Sequence, residues 1–443
     1  MIKSDSRRIR KGDIFVALKG LKSDGHDYVY DAISRGASKV VVEHGSYSVD
    51  TLVVDDTREY LKNYVRDNYS HIFDDMTVIG ITGTNGKTTT SYLIYQALNK
   101  LGVKCSMIGT LGYFKCSKVG DLYNTCPDIA MLYELLIDSY NCGYKCVVME
   151  ASSQGLAEDR LFGVKFDYSI FTNLTHDHLD YHKTVENYVA AKKKLFFALK
   201  DNGVGIVNGD DPYCEQFNCN NLVKYGFGDF DYKIVDSKDY WFKFISDNTY
   251  EVNHNLIGRY NAYNLMSAII VLSKMGFSYN SILSVVSDIS APKGRMEIYN
   301  YKDNKIIVDY AHTPDAISNI LASIGNYNKL YVVFGCTGNR DRTKRPIMTK
   351  LLTDSCDRVI ITSDDLYDES FESIVADMLN GITKNNYSIC PDRGEAIRKG
   401  ISLLGSNDIL LVLGKGHESI IKIGNKRIPF NDGEFIKNII KNV

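Results

Sequence analysis

The stretch Val78-Ile79-Gly80-Ile81-Thr82-Gly83-Thr84-Asn85-Gly86-Lys87-Thr88-Thr89-Thr90 constrains the fold of this chain more than any other. A β-branched apolar run stops at glycines, and Tyr92, Leu93, Ala97 and Leu98 then keep a helical apolar period. The order is strand, loop, helix. Backbone N–H groups and a helix N-terminus make a seat for an anion, with Lys87 on the outer phosphates and Thr88 on Mg²⁺. Gly83 to Thr89 therefore reads as a phosphate-binding loop. It is a variant one: Ile81 stands where the common loop has its first glycine, and the glycine comes later, at Gly83.

At 443 residues the chain is too long for one core, so two or three domains are expected. Net charge of −2 gives no support for a nucleic-acid or membrane surface. No apolar run is long enough to span a bilayer, and Met1 to Arg10 is polar and basic rather than a signal peptide. The ten cysteines form no Cys-x-x-Cys pair and read as reduced thiols in a cytoplasm.

Residues 1–75 form a small α/β unit, with strands at Asp13 to Leu18 and Lys39 to Glu43 around a helical Val29 to Arg35. A larger α/β region follows over 76–290, with strands at Lys145–Met149, Tyr168–Phe171 and Gly205–Val207. A third spans 291–443, with strands at Ile306–Val308, Leu330–Phe334, Arg358–Thr362 and Ile409–Leu413. Such alternation predicts α/β domains with mostly parallel sheets, in which ligands collect at the carboxyl ends of the strands.

The chemistry-bearing residues sit at such ends. Glu150 closes an apolar strand and is placed to reach Mg²⁺, directly or through water. His176, His178 and His182 follow another strand. Carboxylates and hydroxyls surround them and no thiolate is near, which favours a magnesium-nucleotide site over zinc. Lys192, Lys193 and Lys194 lie on a predicted amphipathic helix, and Lys193 and Lys194 read as its solvated face. Downstream, Asp309 to Asp315, Gly335 to Arg342 and Gly414 to Glu418 each follow a strand and read together as one binding face.

In order along the chain stand Thr82-Gly83-Thr84-Asn85-Gly86-Lys87-Thr88, Phe171-Thr172-Asn173-Leu174 with Asp177-His178-Leu179-Asp180, Gly294-Arg295-Met296-Glu297, Asp309-Tyr310-Ala311-His312-Thr313-Pro314 and Gly414-Lys415-Gly416-His417-Glu418. With these the chain resembles the Mur ligases, most closely the UDP-N-acetylmuramoyl-tripeptide synthetases (MurE type), over nearly its whole length from Ser4. The resemblance implies three domains. These are a small N-terminal UDP-sugar-binding domain (1–75), a central P-loop ATPase domain (76–290) and a Rossmann-like amino-acid-binding domain (291–443). It also implies an ATP-dependent, magnesium-dependent amide ligase of peptidoglycan synthesis, a cytoplasmic monomer acting on small molecules. The carboxylate of UDP-N-acetylmuramoyl-L-alanyl-D-glutamate would take the γ-phosphate of ATP, and the amine of an amino acid would displace it.

Carried over residue by residue, Gly83, Thr84, Asn85, Gly86, Lys87, Thr88 and Thr89 would cradle the ATP phosphates. Asn261 and Asn264 would lie on the adenine side, and Arg295 and Asp309 would reach the nucleotide from the third domain. Thr88, Glu150, His178 and Lys192 would serve the metal sites. Lys192 matches the lysine that the family converts with CO₂ to a carbamate. Ser6, Leu21, Lys22 and Ser23 would face the uridine diphosphate, and Asn124, Thr125, Ser152 and Arg160 the muramoyl-peptide. Arg340, Asp364, Asp365, Tyr367, Gly414 and Glu418 would take the amino acid.

Departures from the family pattern carry their own expectations. Ser363 to Glu369 stands where diaminopimelate-adding members carry Asp-Asn-Pro-Arg, and the arginine that would pair with a second carboxylate is Tyr367. Four acidic residues crowd this loop, which favours L-lysine or ornithine over meso-diaminopimelate. Gln154 replaces a His, Glu158 a Gln and Cys126 a Thr, and the leading segment of most members is missing. Recognition of the UDP end is therefore expected to be less secure than that of ATP, and another peptidyl or glutamyl acceptor is an alternative. Folylpolyglutamate synthase shares the core but lacks a domain like 1–75. A GTPase switch would need Asn-Lys-x-Asp, which is absent. A non-catalytic homologue would not need Lys87, Thr88, Glu150, His178 and Lys192 together.

Overall fold

The computed structural model describes residues 1–20 and 23–441. Leu21 and Lys22, expected at the UDP end, lie outside the described residues. Three separate sheets carry the chain, and each is parallel where it matters for the site. The first has strands Ile2–Lys3, Ile14–Val16, Lys39–Val42 and Asp50–Val53, side by side and parallel. Its strands are apolar on both faces because both are covered. Phe15, Val40 and Val42 meet Val29 and Ala32 on one side, and Val16 and Val41 join a cluster with Leu61 and Val65 on the other.

The second sheet has eleven strands. Its parallel centre runs in the order Asn221–Gly226, Leu199–Asn208, Phe166–Phe171, Thr77–Thr82, Cys146–Glu150 and Cys105–Gly109. Antiparallel strands extend both edges, Trp241–Ile245 and Thr249–Asn253 beyond Tyr232–Lys238 on one side, Gly112–Phe114 and Lys118–Gly120 on the other. Sequence periodicity had not marked these. Helix Lys87–Lys100 buries Leu93, Ile94, Ala97 and Leu98 in one cluster with Ile79, Ile81 and Val148 of the sheet and Leu265 and Ile269 of helix Tyr260–Lys274. At about 1.5–3 kcal/mol for each such side chain, this packing fixes the helix N-terminus at the strand ends.

The third sheet has six strands in the order Glu297–Tyr301, Asn304–Asp309, Ile409–Leu413, Leu330–Phe334, Arg358–Ile361 and Tyr387–Ile389, parallel except for the first. The register aligns Asp309, Leu413, Phe334 and Ile361, so four loops leave the sheet at one level. A separate hairpin, Ile420–Ile423 with Lys426–Pro429, follows the last of these. The expected three-domain α/β architecture holds. Among the described residues no helix is long and apolar enough to cross a membrane.

Candidate active site

The central strands end flush: Ile81 pairs with Glu150 and Thr82 with Phe171. From that edge Gly83 to Gly86 turn into helix Lys87–Lys100, with Gly86 at φ +86° as its N-cap. A side chain at Gly86 would place Cβ 2.6 Å from Asn264 Oδ1, and one at Gly83 would overlap Thr172 Oγ1. Both glycines are needed for close approach as well as for backbone shape. The displaced glycine of the sequence is thus a fitted feature.

The neighbouring strand end clamps the loop from outside. Thr84 N–H donates to the Asn173 carbonyl (2.8 Å), Asn85 N–H to Asn173 Oδ1 (2.8 Å), and Thr172 Oγ1 to the Asn85 carbonyl (2.7 Å). Thr84 Oγ1 meets the Tyr188 hydroxyl at 3.1 Å. Lys87 folds back over the loop, donating to the carbonyls of Gly83 (3.0 Å) and Thr84 (2.9 Å). Thr89 is buried in the first turn. Asn264 accepts from Thr90 Oγ1 (3.3 Å) and donates to Asn261 Oδ1 (2.9 Å), while Asn261 donates to the Ile257 carbonyl (2.7 Å). These two asparagines shape the loop from below.

Glu150 is 2% exposed, and its carboxylate accepts from neutral donors. They are Thr88 Oγ1 (2.9 Å), Thr110 N–H (2.8 Å) and Thr110 Oγ1 (3.0 Å). Thr110, which no sequence motif marks, also meets Thr125 Oγ1 at 2.9 Å. On the other side of the loop, Lys192 is 1% exposed on helix Val185–Phe197. Its ammonium donates to the Gly83 carbonyl (2.6 Å) and lies 4.3 Å from the centre of the Tyr188 ring, one helical turn away. Burial, reinforced by Lys87, holds its pKa well below the ordinary lysine range. Lys193 is half-buried and Lys194 is exposed and paired with Asp159, in line with a solvated face.

Asp177 joins the two large domains. It is buried, with Lys344 at 3.0 Å, His178 Nε2 at 3.4 Å and His312 Nε2 at 4.0 Å. Burial would raise its pKa, but His178, Lys344 and His312 outweigh that and hold it far below the carboxylate range. His178, at φ +55°, is pushed down to about 4 by burial and by Lys87, Lys192 and Lys344, against the pull of Asp177. Although its side chain is 47% exposed and contacts Asp177, three nearby ammonium groups disfavour an imidazolium, and the neutral ring is able to act as a ligand or acceptor. Thr88 and Glu150 with this imidazole are an oxygen and nitrogen donor set that fits Mg²⁺ beside phosphate.

Three further contacts close the cleft: Asn85 Nδ2 to Asp315 Oδ2 (2.8 Å), His176 to Asp341 (3.0 Å) and Arg295 to Thr88 Oγ1 (3.5 Å). The Arg295 guanidinium lies 4.5 Å from the centre of the Tyr310 ring. Asp309 accepts from the backbone of Met296 (2.7 Å) and Ala311 (2.8 Å), so it holds the Arg295 turn. Lys344→Met is expected to cost about 3–5 kcal/mol of stabilisation of the closed form, because it leaves Asp177 buried without its ammonium. Small-angle scattering should show a more open molecule; an unchanged profile would remove the latch role.

At the third-domain mouth, Lys415 is fully buried against Glu418 (2.7 Å), Asp365 (2.9 Å) and Asp364 (3.7 Å). Gly414 donates its N–H to the Asp309 carbonyl (3.1 Å). Gly338 N–H donates to the Asp365 carbonyl (2.7 Å), which sets Arg340 beside this loop, exposed and without an ion-pair partner among the described residues. The acidity of the loop is smaller than its sequence suggests. Glu369 pairs with Arg345 (2.8 Å), Asp368 accepts from Asn339 (3.0 Å), and Asp365 is shared with Lys422 (3.0 Å).

The residues expected at the acceptor fall in two places. Asn124 lines a cavity of about 260 Å³ with Ser4, Asp5, Arg7, Arg8 and Tyr123, between the first and second domains. Ser6 is buried behind Asp5, and Ser23 is exposed. Ser152 caps helix Ser153–Ala157 and donates to Cys126 Sγ (3.3 Å). Arg160 is bound to Glu158 (2.7 Å) and the Cys126 carbonyl (2.9 Å), and Gln154 to Glu158 (2.9 Å). The three departures of the sequence therefore form one contiguous network.

Family profiles described as Mur ligase family, catalytic domain, Mur ligase middle domain, and Mur ligase, glutamate ligase domain match residues 1–70, 81–272 and 294–416. The chain is 39% identical over 454 aligned positions to a UDP-N-acetylmuramoyl-L-alanyl-D-glutamate–2,6-diaminopimelate ligase of Fusobacterium nucleatum, covering 99% of this chain and 93% of that one. A solved structure of a ligase of the same description matches with a TM-score of 0.65 and 32% identity, covering 100% of this chain and 94% of that one. MurF ligase from Thermotoga maritima in complex with ADP shares the fold, with a TM-score of 0.73, 20% identity and 93% of each chain covered.

Proposed function

The chain belongs to the Mur ligase family, and from that premise and the geometry of the cleft we propose an ATP-dependent ligase that adds the third amino acid to UDP-N-acetylmuramoyl-L-alanyl-D-glutamate in peptidoglycan synthesis. One observation carries this reading. The phosphate loop, with Thr88 on Glu150, is tied to the third domain through Asp315 and Arg295, and the strand ends of that domain carry the charged cluster of Lys415, Asp364, Asp365 and Glu418. A hydrolase needs only the first mouth; joining a carboxylate to an amine needs a site for each beside the phosphates.

Lys87, with the loop amides of Gly83 to Thr88, holds the transferring phosphoryl group, and Arg295 adds positive charge from the third domain. Thr88, Glu150 and His178 would hold Mg²⁺, which when bound would supply charge neutralisation on the phosphates. Lys192, as a neutral amine, condenses with CO₂ to a carbamate and proton. The residue would then present an anionic oxygen pair in place of the amine that donates to Gly83. The acceptor carboxylate attacks the γ-phosphorus of ATP to give an acyl phosphate and ADP, and the incoming amine then displaces phosphate and loses a proton to give the amide. Closure over Asp177 and Lys344 keeps water from the acyl phosphate. Arg340 takes the α-carboxylate of the amino acid, and Asp364, Asp365 and Glu418 face its distal end. Domain limits at 75/76 and 290/291, a monomer, and a cytoplasmic site of action belong to the same reading.

The test is phosphate release by the purified chain with ATP, Mg²⁺ and the UDP-muramoyl-dipeptide, with single amino acids added in turn. Release is expected only when acceptor and a diamino acid are both present. Release without an acceptor, or none with any amino acid, would overturn the ligase reading.

A further inference from the structure

A basic side chain from outside the loop meets Tyr367, the residue at the position of the missing arginine. Lys422, on strand Ile420–Ile423, reaches Tyr367 Oη at 3.1 Å and lies 5.3 Å from the centre of its ring. The backbone fixes this meeting: Leu366 and Tyr367 N–H both approach the Lys422 carbonyl, and Gly424 N–H donates to the Tyr367 carbonyl. Yet the ammonium is already committed. Asp365 Oδ2 holds it at 3.0 Å, while Asp365 Oδ1 accepts from Lys422 N–H (3.0 Å) and from Lys415 (2.9 Å). Asp364, Asp365 and Glu418 face two ammonium groups, so the cluster keeps one unmatched negative charge.

Resting on the ligase reading above, we propose that the Asp365–Lys422 pair is the specificity switch of this chain. It closes the seat of a second carboxylate and leaves a site for a diamino acid with one carboxylate, L-lysine or L-ornithine. A distal ammonium matches the leftover charge. A distal carboxylate would have to displace Asp365 from Lys422 or lie beside three carboxylates. Asparagine at 365 keeps an acceptor for Lys422 N–H but loses the charge, so it releases the Lys422 ammonium without unpicking the loop.

The switch is tested by kcat/KM for L-lysine, L-ornithine and meso-diaminopimelate in four proteins: wild type, Asp365→Asn, Lys422→Ala and the double variant. Wild type should prefer a one-carboxylate diamino acid. Asp365→Asn should raise the diaminopimelate-to-lysine ratio about tenfold or more, and the double variant should lose that gain. Wild type that uses diaminopimelate as well as lysine overturns the proposal, as does a gain that survives Lys422→Ala. No turnover by wild type with any amino acid overturns the ligase reading instead. A misfolded variant is recognised by loss of ATP binding, and Asp365→Ser then replaces Asp365→Asn.

Discussion

Lys192→Ala is expected to lower kcat by a factor of about 10²–10³ while ATP binding stays near that of wild type. The side chain is buried with a single carbonyl acceptor, Gly83 O at 2.6 Å, and an aromatic face below it. A permanent ammonium gains little there, since one neutral hydrogen bond and a cation–π contact do not replace its hydration. Burial together with Lys87 therefore favours the free amine, the form that can take up CO₂. Alanine leaves room where the proposed carbamate would stand, so acetate or formate should restore part of the rate. Lys192→Arg cannot form a carbamate and should not be rescued. Mass spectrometry of the native protein, before acid treatment, should show the added CO₂ at this residue. Unchanged activity in Lys192→Ala without added carboxylate would rule the role out.

The fold and half of the site are legible in the sequence for a physical reason. Phosphate chemistry needs a strand, a glycine turn and a helix N-terminus in succession, so Gly83 to Thr89 is local. Parallel strands covered on both faces write themselves as apolar runs, and each motif follows one. Other parts depend on elements far apart in the chain. Thr110 opens an ordinary two-residue turn, and its partner Glu150 lies 40 residues on. Among three adjacent lysines only Lys192 turns inward, because it shares a helix face with Tyr188, Leu195 and Phe196. The acid-rich Ser363 to Glu369 reads as a charge surplus because its partners Arg345, Lys415 and Lys422 sit on other elements. The hairpin that carries Lys422 follows a motif already assigned, with strands of four residues, and left no periodic signal.

Glu150→Gln is expected to lower kcat/KM by a factor of about 10²–10³ and to leave the fold intact. Glutamine has the same shape, and its amide oxygen can still accept from Thr110 N–H. The Thr88 and Thr110 hydroxyls, which now donate to Oε2, can rotate and accept from the amide nitrogen. Only the charge is lost. The hydrogen-bond partners of this buried carboxylate are all neutral and Lys87 is the cation that acts on it, so its burial is only partly offset unless a metal joins it, and the donor set around it suits Mg²⁺. The variant should thus be at least as stable as wild type without Mg²⁺ and gain less on its addition. Calorimetry separates this from a structural defect: binding of ATP in the presence of a chelator should be preserved, because Lys87 and the loop amides are untouched. The additional affinity that Mg²⁺ confers on wild type should fall about tenfold or more. Full magnesium-dependent activity in Glu150→Gln would move the metal away from this strand end, and with it the reason why Thr88 and Glu150 stand 2.9 Å apart.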